Sequence, residues 1–431
     1  MGLEDNKRVA DFLTKVCGKI RNKKLHNEIR LEFLNHIEEL YAENIRKGMS
    51  EDMAIEEALR YMGDGDIVGK RLNKIHRQWP DWAIIGGAAL LAVFGVILMY
   101  LIEANGALSR NNGIFKDSIF HVLLGLATLL GLNLFDYRIL KKYSKYIYGA
   151  TIIAWLFFIN TGAYVNGQLY FIAGRLSFMP MVIVPLIVSL AGLFDGWDWN
   201  DKKRLIIAAG LVLLPVLLFL RTYSMAYVIV YFVSVLLILF ASGLKLKQVI
   251  PVFVLAGVVS IFFLVQRSYI LERVLTFLNP WNDPNGAGWI HIQMGNLIKS
   301  AGIFGKGFEF DPMLLPSVDT DFVFAYVIYT FGWLITGILV AAIALFIARM
   351  IKGVGKVTDS YGKLVAVGFI GILSTRFIWN ILMTLGLLPI TGLPFPFISY
   401  GGTQLVMDMV MVGYLSNIYR RKEKAYSETV I

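Results

Sequence analysis

The residues with the most evident chemistry stand in one stretch, "NPWNDPNGAGW", from Asn279 to Trp289. Its single carboxylate, Asp283, sits among turn formers: Pro fixes φ and Gly permits positive φ, so the bare reading is a surface turn. Its setting offers more. Arg273 lies upstream, Lys299 and Lys306 downstream, and Asp319 and Asp321 close the segment. A carboxylate among fixed cations suits a general base acting on a hydroxyl, with the cations holding a phosphate-rich leaving group. "GIFGKG", Gly302 to Gly307, adds a Gly-Lys loop whose backbone amides can approach an anion. Taken singly, Asp283 is better explained as a turn residue and Lys306 as a solvated lysine.

A second set lies in "STRFIWNILMTLGLLPITGLPFPFISYGGTQ". Arg376 and Asn380 are four apart in an apolar run and so share a helix face. Charge inside an apolar span is costly and faces a cavity or a partner. Pro389, Pro394 and Pro396 follow, then "SYGG" with Ser399 and Tyr400, which reads as an ordered loop. Two readings stand: a functional set, or a packing loop with one buried Arg–carboxylate pair.

The elements that must position these groups are membrane helices. Of the 431 residues, 57% are hydrophobic and only 17% charged, with mean hydropathy +0.62, whereas a soluble domain carries about a quarter charged residues. The apolar residues come in blocks such as "WAIIGGAALLAVFGVILMYLI" (Trp82 to Ile102), long enough to cross a bilayer, which takes about 20 residues. The blocks predict an all-α polytopic protein of ten spans, near 82–103, 119–136, 146–163, 171–194, 204–220, 223–242, 247–266, 321–348, 364–386 and 403–419. The net charge of +10 does not indicate nucleic acid, because the basic residues alternate between loops. "DYRILKKYSKY", "DWNDKKR", "GLKLKQ" and "ARMIKGVGKVTDSYGK" follow the positive-inside pattern, and so does "IYRRKEK", which runs into a cytoplasmic tail at 423–431. Both termini are then cytoplasmic, and the segment from about Arg267 to Thr320 is the one large extracytoplasmic loop. A connection of that length is usually functional. Within it, "HIQMGNLIKSAGIFG" has helical spacing and is expected to lie on or dip into the interface. The single cysteine, Cys17, excludes an intrachain disulfide, and the charged first eighty residues contain no apolar signal-peptide region.

Residues 1–80 read as a separate domain of two or three helices. "HNEIRLEFLNHIEELYAENIRKG" is amphipathic, and "SEDMAIEEALRYMGD" restarts a helix with Ser50 as N-cap. A third short helix follows in "GDGDIVGKRLNKIH".

With the motifs in view, the region after Trp82 resembles the SEDS family (shape, elongation, division and sporulation) of RodA, FtsW and SpoVE. "TLGLLPITGLPFPFISYGGT" is similar to that family's "GLLPVTGVPLPFISYGGSS". The loop pattern agrees: Arg273 before "LTFLNPWNDP", then Gly288, Gln293, "SAGIFGKG", and "LPSVDTDFVFA" for the family's "LPE-x-HTDFIFA". The resemblance implies a peptidoglycan glycosyltransferase that polymerises lipid II, in elongation, division or sporulation. It puts the catalytic carboxylate on Asp283 and substrate contacts on Arg273, Gln293, Lys299, Lys306, Asp321, Arg376, Asn380, Ser399 and Tyr400. It further implies a class B penicillin-binding protein as partner and leaves room for a divalent metal, Mg or Mn, at the pyrophosphate, although the loop shows no dedicated ligand spacing. Residues 1–80 resemble the permease prefix domain, a cytoplasmic helical module, whose partner the sequence does not identify.

The chain departs from the family pattern at three polar sites. Tyr329 and Thr330 replace both glutamates of "DFIFAVIGEELG", "SFMPM" (Ser177 to Met181) stands for "FQPSE", and "TYSMAY" after Arg221 stands for "PDLGTA". These losses favour a scaffold that recruits a partner, while Asp283, Lys306 and "PFISYGG" favour an enzyme. A lipid II flippase would need a charged path across the membrane, and Arg175, Arg221 and Arg376 form none in the sequence.

Overall fold

The computed structural model describes residues 3–20, 26–76, 80–108, 113–165, 168–171, 176–222, 224–248, 250, 254, 257, 261 and 268–420. The chain divides into two compact units at Pro80. In the first, α1 (Lys7–Gly18), α2 (His26–Arg46), α3 (Glu51–Met62) and α4 (Gly65–His76) enclose a core of Val9, Phe12, Leu13, Val16, Ile29, Ile37 and Ile55. That is one helix more than the sequence reading expects. α1 buries Val9, Phe12, Leu13 and Val16, an i, i+3, i+4, i+7 stripe. Ser50 has extended backbone before α3, but its hydroxyl makes no capping bond; Glu51 and Asp52 supply the acidic first turn instead.

In the second unit the helices are α5 (Trp82–Ala104), α6 (Ile114–Leu132), α7 (Ile139–Lys142), α8 (Ser144–Thr161), α9 (Phe178–Phe194), α10 (Lys202–Arg221) and α11 (Met225–Ala241). These are followed by α12 (Ser268–Leu278), α13 (Trp289–Ser300), α14 (Val323–Val354), α15 (Ser360–Thr384) and α16 (Gly402–Arg420). Among the described residues five helices, α5, α6, α10, α14 and α15, are long and apolar enough to cross a membrane, and α9 and α11 are shorter apolar helices. The expected span 247–266 lies largely outside the described residues, as do Arg175 and the tail 423–431. α5 shows why the solvent is lipid. It buries Ile84, Ala88, Leu91, Gly95, Leu98 and Ile102 on one face, and its exposed face carries Leu90, Val93, Ile97 and Tyr100. A helix apolar on its outer face as well is stable against hydrocarbon, not water.

The fold is not wholly helical. β1 (Ala163–Val165), β2 (Gln168–Phe171) and β3 (Leu176–Ser177) form an antiparallel sheet in the order β1-β2-β3, with Tyr170 paired to Ser177. This displaces the start of α9 from the expected 171 to Phe178. Asn166-Gly167, a hairpin dipeptide by sequence, was the available signal.

α16 packs against α5, α6, α9 and α15. Small residues let it approach: a Cβ on Gly125 of α6 would press on Met409, and one on Gly413 would press on the Leu129 backbone. Asn417 donates to the carbonyls of Leu132 and Phe135, satisfying backbone acceptors where α6 ends.

Candidate functional site

The Asp283 turn begins with a single 3-10 turn, Pro280–Asn282, between α12 and α13. The carboxylate is exposed, yet both its oxygens are held: Gly286 N donates to Oδ1 at 3.1 Å and Ala287 N to Oδ2 at 2.9 Å. The Asp283 carbonyl also accepts from Gly288 N at 3.0 Å. Gly288 is required, because a Cβ there would collide with the Pro280 carbonyl, and one on Gly286 would push the Asp283 carboxylate from its place. The local sequence therefore presents a fixed carboxylate to the outside, with free lone pairs on both oxygens. Among the described residues Asp283 makes no ion pair.

Arg273 on α12 acts on groups of two other elements. It favours the ionised form of Asp321, next to α14, and disfavours protonation of His291 on α13. Burial and the neighbouring Asp319 push the Asp321 carboxyl up to about 6, against the pull of Arg273. Burial also raises Asp319, and burial with Arg273 lowers the His291 imidazole. Gln293 is half-buried on α13, whereas Lys299 and Lys306 are exposed. Arg273 and Asp321 are thus within electrostatic reach of each other; Asp283, Lys299 and Lys306 stand on the same segment without a direct bond among them.

The "GIFGKG" loop does something other than offer its amides to an anion. α14 is broken at Gly332, whose φ of 75° and ψ of −179° are not helical. Residues 302–307 fill the break. Lys306 N donates to Tyr329 O at 2.8 Å and Gly307 N to Thr330 O at 3.3 Å, while Trp333 N reaches Gly302 O and Leu334 N reaches Ile303 O, both at 3.1 Å. The carbonyls and amides that a continuous helix would have paired are satisfied by the loop, as membrane burial demands. Tyr329 and Thr330, where the related motif has glutamates, supply the accepting carbonyls.

Arg376, Asn380 and Ser399 are engaged inside the protein. Arg376 is fully buried; its Nη1 donates to Asp408 Oδ1 at 2.5 Å and its Nη2 to Pro394 O at 2.9 Å. Asn380 Nδ2 bridges Asp321 O at 3.0 Å and Leu393 O at 2.8 Å. Ser399 Oγ donates to Thr320 O at 2.6 Å and accepts from Phe395 N at 2.8 Å. Asn380 and Ser399 fasten the 393–400 loop to residues 320–321 and Arg376 ties it to Asp408, while Arg376 Nε and Asn380 Oδ1 stay buried without a hydrogen-bond partner among the described residues. Tyr400 is only half-buried: its amide donates to Asp319 O at 2.7 Å and its hydroxyl to Asp117 Oδ2 at 3.2 Å. Burial and Asp117 push that phenol up to about 12. Asp408, Gln404 and Tyr227 were missed by sequence reasoning. Gln404 Nε2 donates to Asp408 at 3.0 Å, and Tyr227 donates to Gln404 Oε1 at 2.8 Å. The i, i+4 spacing of Gln404 and Asp408 on an apolar helix was the signal available.

A helical membrane unit with a carboxylate turn in a long inter-helix segment, braced by a buried Arg–Asp pair, defines the class. The family of cell cycle proteins comprising FtsW, RodA and SpoVE matches residues 81–424, and the chain belongs to it. It is similar to the probable peptidoglycan glycosyltransferase FtsW of Geobacter metallireducens, 28% identical over 371 residues, covering 81% of this chain and 97% of the relative. The peptidoglycan glycosyltransferase MrdB of Escherichia coli K12 is 29% identical over 364 residues, covering 81% and 95%. Among solved structures, a chain from a peptidoglycan synthase complex, studied for the coordination of polymerization and crosslinking, shares the fold. Its TM-score is 0.68 at 24% identity, covering 80% of this chain and 99% of its own.

Proposed function

We propose that this protein is a peptidoglycan glycosyltransferase that polymerises lipid II at the outer face of the cytoplasmic membrane. The observation that carries the reading is the Asp283 turn: two backbone amides fix an exposed carboxylate within the family-matched unit. The 4-hydroxyl of one lipid II sugar attacks the anomeric carbon of another. The new C–O bond forms as the bond to the pyrophosphate breaks, its electron pair leaves with undecaprenyl pyrophosphate, and the configuration inverts. Asp283 takes the hydroxyl proton. Arg273, Lys299 and Lys306 offset the charge that grows on the leaving group, and Gln293 and Tyr400 line the approach. Asp321 lies close enough to Arg273 for the two charges to interact.

Among the described residues no three His, Cys, Asp or Glu side chains converge. A cation of the Mg or Mn type takes one or two carboxylates and substrate phosphate, and the neighbouring Asp319 and Asp321 are the residues that would hold it. Such a cation would supply further charge neutralisation at the diphosphate.

The reading includes ten spans, cytoplasmic termini, and a class B penicillin-binding protein as transpeptidase partner. The relative whose complex coordinates polymerization and crosslinking supports that partner. Residues 1–80 form the permease-prefix-like domain in this reading. A second reading, a scaffold with weakened catalysis, is favoured by Tyr329 and Thr330 in place of the family's glutamates. Purified full-length protein in proteoliposomes with lipid II, with and without the transpeptidase, separates the two. Glycan strands support the enzyme; their absence in both conditions, with folded protein, supports the scaffold.

A further inference from the structure

Outside the Asp283 turn, the most tightly specified part of the 268–320 segment is its junction with the break in α14. Gly305 (φ +83°) and Gly332 (φ +75°) face each other there. A Cβ on Gly305 would collide with the Thr330 carbonyl, and one on Gly332 with the backbone of Ile303 and Gly305. Gly307 also has positive φ (+88°), and its amide donates to Thr330 O. Between these glycines stands Lys306, its amide fixed on Tyr329 O at 2.8 Å and its side chain exposed. At the junction Tyr329 packs edge-on to Phe310 with ring centroids 5.3 Å apart, and Thr330 is buried. Among the described residues no carboxylate pairs with Lys306. A backbone fixed this firmly, carrying a cation with no internal partner, is preorganised for an external anion.

We propose that Gly305, Gly307 and Gly332 are positioning residues, a backbone latch between the loop and the broken helix that aims Lys306 at the diphosphate of a lipid-linked substrate. The ligand's identity rests on the glycosyltransferase reading; the latch rests on its own hydrogen bonds. The three glycines then act on the ligand only through Lys306.

The test is a double-mutant cycle on full-length protein in nanodiscs, read as affinity for undecaprenyl pyrophosphate. Gly307→Ala is the informative variant, because its Cβ would meet nothing within 4 Å and the strain falls on the backbone at φ +88°; a melting temperature matching wild type is required before its affinity is read. Lys306→Met is expected to weaken binding about ten-fold, the scale of one charge-assisted contact. Gly307→Ala alone weakens it by less, and the double variant binds no worse than Lys306→Met. Losses that multiply in the double variant, an unchanged affinity in either single variant, or a wild type that does not bind the lipid overturn the latch. Polymerisation of lipid II by the same wild-type sample, with and without the transpeptidase, is scored separately: binding without glycan in either condition sinks the glycosyltransferase reading and leaves the latch standing.

Discussion

Replacing Asp408 by Asn removes one charge from a pair whose two side chains are 0% and 1% exposed. The amide keeps the size of the carboxylate and one acceptor oxygen. The Arg376 guanidinium, however, is left without a counter-charge in the interior of the helix bundle. Breaking a buried pair from one side costs about 3 to 5 kcal/mol, and Arg376→Met should fall in the same range by stranding the carboxylate. Removing both charges, with Arg376→Met and Asp408→Leu together, leaves no uncompensated ion and should cost clearly less than the two single changes added. The consequence reaches the site through the 393–400 loop. Arg376 holds Pro394 O, Asp408 accepts from Phe397 N, and Ser399 and Tyr400 in turn hold Thr320 O and Asp319 O. Phe397, buried with a φ of 62°, is the strained residue this network keeps in place. Equilibrium unfolding in detergent micelles gives the stabilities. A single variant that costs less than about 1 kcal/mol, or a double variant equal to the sum, would refute the reasoning.

Other outcomes follow from the site. Asp321 titrates near 6 in the folded protein, above its unfolded value, so stability falls as pH rises from about 4 through that value. Asp321→Asn should flatten this dependence and raise stability at pH 7.5 by no more than about 3 kcal/mol, checked by unfolding at pH 5 and 7.5. Asp319→Asn removes a like charge and should shift the same transition to lower pH. Gly286→Ala forces the Asp283 carboxylate off its two amide donors, so glycan synthesis should drop at least about ten-fold with little change in melting temperature. Asp359 caps α15 by accepting from Gly362 N at 2.8 Å and from the Tyr137 hydroxyl at 2.9 Å; Asp359→Ala should cost about 1 to 2 kcal/mol in unfolding.

What was legible in the sequence is what depends on local pattern. The apolar blocks located nine described helices to within several residues, because a long apolar run encodes a helix with little help from its neighbours; five of the nine are long and apolar enough to cross a membrane. The Asp283 turn was legible as a turn because Pro and Gly encode it directly. The sheet at 163–177 was read partly as helix, since short apolar runs do not discriminate between the two. α1 carries a clear apolar stripe at Val9, Phe12, Leu13 and Val16, which the reading of two or three helices left out. The break at Gly332 could not be read locally, because it exists only where residues 302–307 arrive to satisfy the freed backbone groups. The same holds for Arg376: its cost inside an apolar span foretold a carboxylate partner, but Asp408 lies 32 residues away and only the tertiary fold selects it.

The most direct test of the central claim compares wild type with Asp283→Asn in lipid II polymerisation, both shown to melt at the same temperature. The Asn side chain can still accept one amide bond in the turn but cannot take a proton, so the account predicts intact folding and a loss of at least about a hundred-fold in glycan synthesis. Glycan made by Asp283→Asn at near the wild-type rate would contradict it.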